Sequence, residues 1–135
     1  MTKYYYFYFC MVFSLFFSSC KKEAPIVNAL IGQWELSISV DGMTGKATKA
    51  GAGSGNLLRI AKKSYERYEK GQLVESGSYS IVQENSILYH KKLDRIVFND
   101  EYDMPRTFIK IESDQLTIWI DAFDAPSVVY KKVVQ

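Results

Sequence analysis

The stretch Trp34-Glu35-Leu36-Ser37-Ile38-Ser39-Val40 decides the fold. Apolar Trp34, Leu36, Ile38 and Val40 alternate with Glu35, Ser37 and Ser39, the period of two that belongs to a strand with one buried face. The same period continues downstream. Runs over 56–62, 64–69, 73–82, 86–91, 93–99, 106–112, 116–121 and 128–133 carry alternating or β-branched apolar residues between polar breaks. Lys70-Gly71-Gln72 joins two of them as a hairpin, and Gly77, Tyr79 and Ile81 then share one face of its return arm. Ser113-Asp114 is a tight turn between Ile109/Ile111 and Leu116/Ile118/Ile120. About nine short strands with closely spaced turns predict an all-β fold, a single small antiparallel barrel of eight or nine strands. Pro25, Pro105 and Pro126 fall in loops or at strand starts, where a missing N–H does no harm.

One segment breaks the rhythm. Asp41 to Gly55 holds five of the eight glycines, and apart from Met43 its apolar residues are alanines. It reads either as a mobile lid over a barrel mouth or as a disordered insertion between the first two strands.

The other end of the argument is the N-terminus. Lys3 precedes an apolar, aromatic stretch of fourteen residues from Tyr4 to Phe17, followed by Ser18-Ser19-Cys20. A membrane span needs about 20 apolar residues, so this is a secretory signal, residues 1–19, with Cys20 placed to carry a lipid. It resembles a bacterial lipoprotein signal, with Phe17 where such signals usually carry an aliphatic residue. Residues 20–28 then form a lipidated tether, polar and containing Pro25, and 29–135 the barrel domain. Cys10 leaves with the signal, so disulfides, cysteine zinc sites and thiol catalysis are excluded from the remainder. Removing Lys3 leaves 16 basic against 15 acidic side chains. Near-neutral charge without a basic stripe gives no case for nucleic acid.

Residues that could carry chemistry are few. His90 is the only histidine and reads as a surface strand residue, with no second ligand to make a zinc site. Asn99, Asp100, Glu101 and Asp103, and separately Asp121 and Asp124, form acidic loops that match no known calcium spacing and read as solvated turns. No pair of carboxylates is placed for glycoside hydrolysis. Gly51-Ala52-Gly53-Ser54-Gly55 lacks the ending of a phosphate loop, and no serine–histidine pair is credible. The chain therefore reads as non-catalytic, without metal or cofactor. Tyr79, Tyr89 and Phe98 fall on interior faces, either as core or as the lining of a small apolar pocket. Trp119 points outward between Thr117 and Asp121, as a contact surface or beneath a neighbouring loop.

Gly32-Gln33-Trp34 opening the first strand, with up-and-down strands to the chain end, resembles the lipocalin-like lipoproteins of Bacteroidetes. The small β domains of heat-shock and motility lipoproteins are a second structural option. The lipocalin resemblance implies that Trp34 plugs the closed end of the barrel, with Lys131 or Lys132 packed over its ring. It also implies short strands, an interior filled by side chains and a small pocket at the mouth. The function expected is that of an outer-membrane lipoprotein, membrane-bound through Cys20, that holds a small apolar or amphipathic ligand. The alternative is a protein-interaction or inhibitor lipoprotein of the envelope with a filled barrel, meeting its partner at Trp119.

Overall fold

The computed structural model describes residues 25–134. The signal segment, Cys20 and the first part of the tether lie outside the described residues. In chain order the elements are α1 (Pro25–Leu30), β1 (Gly32–Val40), β2 (Ala47–Lys49), β3 (Leu57–Ile60) and β4 (Ser64–Glu69), then β5 (Gln72–Asn85), β6 (Lys92–Phe98), β7 (Thr107–Glu112), β8 (Gln115–Ile120) and β9 (Ser127–Lys132). Every pairing is antiparallel between neighbours, and β9 returns to β1. β1 and β3 to β9 thus close an eight-stranded lipocalin-like barrel, and β2 is appended to it.

The end holding the start of β1 is sealed by α1 and Trp34. Pro25 opens the helix, where its missing N–H costs nothing. The helix is already formed where the sequence suggested a tether running to Asn28. Its unpaired C-terminal carbonyls find two donors: Trp34 Nε1 donates to Leu30 O at 2.8 Å and Lys132 Nζ to Ala29 O at 3.3 Å. Of the two candidate lysines, Lys132 is the one over the Trp34 ring, 5.2 Å from its centroid. Gly32 turns the chain from helix to strand at φ +144°, with the Lys132 stem against it.

Inward side chains from the barrel strands form one cluster around Trp34, Leu58, Tyr65, Ile96, Leu116 and Tyr130. β1 reaches it only in part. A bulge between Leu36 and Ile38 shifts the register against β9, so Ser39, not Ile38, lies opposite the core residue Val128. The alternation of the opening stretch is therefore split. Trp34 and Leu36 face in; Ile38 and Val40 face out.

The opposite edge of β1 resolves the glycine-rich segment as neither a lid nor a disordered insertion. Asp41 accepts from Thr44 N and Oγ1 to close a turn, and β2 then pairs with Ile38–Val40. Ile38 faces Lys49, so an unbroken strand would bring Ala52 opposite Glu35; Leu57 is there instead. β2 and β3 are one strand interrupted by a five-residue excursion, 51–55. Glu35 accepts from Gly53 N at 2.6 Å, and Gly71 N at the β4–β5 turn donates to Gly55 O at 2.9 Å.

Beyond Gly77 the wall is sealed by Asn99. Its Oδ1 accepts from Ser78 N at 3.1 Å and its Nδ2 donates to Tyr65 Oη at 3.3 Å. A Cβ at position 77 would stand 1.9 Å from Asn99 Oδ1. Gly77→Ala is expected to expel this amide and cost about 1–3 kcal/mol. Denaturant unfolding checks this, with Gly77→Ala/Asn99→Ala expected no less stable than Gly77→Ala alone, because both changes remove one interaction.

Candidate ligand-binding cleft

β5 is fourteen residues long and serves two neighbours in turn. Its first half pairs with β4 and its second, from Tyr79, with β6. β6 in turn meets β7 over only three residue pairs, Asp94–Ile96 with Thr107–Ile109. The far end of the β5–β6 hairpin therefore leaves the barrel wall as an arm. Its tip, 86–91, is a turn and not the strand expected there: Ser86 N donates to Lys91 O at 2.9 Å and His90 N to Ser86 O at 3.1 Å.

Asp121 clamps that tip. Its carboxylate accepts from Ser86 Oγ at 2.6 Å, Ile87 N at 2.7 Å and Leu88 N at 3.2 Å. Burial alone raises the Asp121 pKa, but these three donors, with the Arg106 guanidinium at 4.0 Å, outweigh it and hold the group below the ordinary carboxylate range. Glu84, on the arm, accepts from Arg95 at 2.7 Å and Arg106 at 3.1 Å. The Arg95 hydrogen bond chiefly depresses its pKa, against a smaller rise from burial. Arg95 also donates to Tyr102 O at 2.8 Å, tying in the 99–106 loop. Beneath lie Arg95, Val97 and Phe108, all buried although they alternate with the inward Ile96, Phe98 and Ile109 and so face out of the barrel. Asp121 is a structural clamp, not the solvated turn residue expected from the sequence, and Glu84 is a second clamp.

Where β6 and β7 part, the arm leaves a cleft of about 510 Å³. Ile26 of α1, Leu93, Ile109, Ile111, Tyr89 and Trp119 give it apolar walls. Trp119 stacks on Phe108 at 6.1 Å and meets Tyr89 edge-on at 6.0 Å, so the arm partly covers it. Its Nε1 is buried with no acceptor among the described residues. Lys91 stands at the rim, 5.9 Å from the Tyr89 ring, with no carboxylate partner among the described residues.

The expected ligand residues do not converge. Tyr79 is in the core, its hydroxyl donating to Ala61 O at 2.9 Å, and Phe98 packs on Tyr65 at 4.6 Å. Tyr89, placed on an interior face by its sequence pattern, lies outside the barrel in the arm's turn and lines the cleft. His90 is exposed in the same turn at φ 52°, not in a surface strand. Among the described residues no three His, Cys, Asp or Glu side chains gather as metal ligands.

A second cavity, about 340 Å³, opens at the barrel mouth between Leu36, Val128 and Tyr130 on one side and Arg67 and Tyr68 on the other. Arg67, at its polar side, is paired within the wall. Arg67 bonds Glu69 and, at 3.0 Å, Glu75, which also accepts from Tyr65 Oη at 2.5 Å. Burial, reinforced by the Glu75 charge, pushes the Tyr65 phenol up to about 12. The lateral cleft is the larger of the two and the more apolar. Its sequence signal is Ile96-Val97-Phe98, an unbroken apolar run that marks a strand buried on both faces and hence an outer cover. No family model, curated protein or solved structure matches the chain.

Proposed function

We propose that this is a lipid-anchored lipoprotein of the cell envelope whose lipocalin-like barrel is a non-catalytic binding module for a small apolar or amphipathic ligand. Ser18-Ser19-Cys20 after the apolar stretch supports the anchor. The lateral cleft carries the binding reading, because its volume lies in the usual range of ligand sites and its lining pairs apolar walls with one uncompensated lysine. The core-bound Tyr79 and Phe98 move the ligand away from the barrel axis.

Two experiments test the two halves. Cys20→Ala abolishes incorporation of labelled palmitate and releases the protein from membranes; a labelled, membrane-bound variant refutes the anchor. Native mass spectrometry of the protein from its own host gives a mass excess over the lipidated chain that vanishes on denaturation. A bare mass overturns the binding module.

One observation favours a protein-interaction reading at a different place from Trp119. Met43 and Phe123 are 86% and 83% exposed, on turns that touch where Gly42 meets Asp124 and Ala125. Loss of co-purifying envelope protein in Phe123→Ser would support that reading.

A further inference from the structure

Ile26 is both a wall of the lateral cleft and the second described residue of the chain. The cleft therefore lies beside the point where the chain arrives from Cys20. The five residues 20–24 span at most about 17 Å when fully extended, so a lipid on Cys20 begins within a short reach of Ile26. The remaining walls suit one kind of guest. Leu93, Ile109, Ile111, Tyr89 and Trp119 offer apolar surface along the seam where β6 departs from β7. The cleft's other lining residues, Lys91, Asp94, Lys110, Glu112, Thr117 and Ser127, are polar, with Lys110 paired to Glu112 at 2.7 Å. Such a site takes a guest with a long apolar body and leaves a polar rim around it.

We infer that the lateral cleft is a binding site for a single long acyl chain, within reach of the one carried by Cys20. The inference rests on the lipid anchor proposed above. Each buried methylene adds to the binding, and a short tether raises the effective concentration of its own chain to the millimolar range. Tethering thus favours the molecule's own lipid over a free fatty acid of the same length.

The test is cross-linking in place. Cells are fed a palmitate analogue with a photoactivatable diazirine in its tail, the full protein is isolated, irradiated and digested, and the linked peptides are mapped. In a parallel arm, Cys20→Ala protein is irradiated with the free analogue. Cross-links are expected from the Cys20 lipid onto peptides containing Ile26, Tyr89–Leu93, Ile109–Ile111 and Thr117–Trp119. Thr117→Trp, which fills the cleft from a strand position facing outward, is expected to lower them at least fivefold with Cys20 still labelled. The same peptides marked only by the free analogue also support the acyl-chain site and assign its guest to a separate molecule. Label on Cys20 with cross-links confined to other faces or to bilayer lipid, and an unmarked cleft in the second arm, overturns the inference. An unlabelled Cys20 sinks the anchor alone, and the free-analogue arm then decides the cleft.

Discussion

Trp34→Ala lowers the unfolding free energy by about 3–5 kcal/mol, the cost of a large buried side chain whose cavity cannot collapse. The ring is fully buried and touches three things at once: the core cluster, the α1 carbonyl at Leu30 and the Lys132 ammonium. Losing it removes apolar area and leaves the Leu30 carbonyl without its side-chain donor, with only Lys132 still serving the helix C-terminus at Ala29. Urea unfolding measures the change, and Trp34→Phe separates its parts. Phenylalanine restores most of the apolar area but not the Nε1 donor, so about 1 kcal/mol of the loss should persist from that bond. If Trp34→Ala unfolds at the wild-type midpoint, the ring does not seal the barrel.

Asp121→Ala has the second largest effect, and a different character. It strips one acceptor from three donors and leaves Arg106 with only Glu84, at a cost of about 3 kcal/mol. The loss should be local: the arm detaches while the barrel ladder persists. Trp119 fluorescence then shifts red and becomes open to acrylamide, with backbone circular dichroism nearly unchanged. Acid should reproduce the variant. The folded pKa of Asp121 is depressed, so between the folded and unfolded values the unfolded state binds more protons. The stabilisation is present above the ordinary carboxylate range and lost as pH falls through the lower folded value. Trp119 exposure in wild type should therefore rise only below that range, and Asp121→Ala should show less of this acid step, Glu84 being the depressed carboxylate that remains on the arm.

The barrel was legible because alternation is a local property. Leu116, Ile118 and Ile120 facing Ile111, Ile109 and Thr107 needed only the period of two and the Ser113 turn. Lys70-Gly71 was likewise readable, since both residues take the positive φ that a two-residue hairpin demands. What escaped the sequence depended on distant partners. Ile87 and Tyr89 have strand spacing, yet Asp121, more than thirty residues away, bends their segment into a turn. β2 is three exposed residues of ordinary composition, and it pairs because the Asp41 turn delivers it to β1. The Ser37 bulge leaves no mark in a stretch that alternates without a fault. The cleft needed all of these, because it exists only once the arm is known to leave the wall.

The five-residue excursion between β2 and β3 has a practical side. Both ladders that flank it are set by β1, and the excursion enters neither. Gly51, Ala52 and Gly53 are exposed, the setting in which chains accept inserted sequence or a protease cut. An affinity tag or fluorophore spliced there would leave β1's pairings as they are.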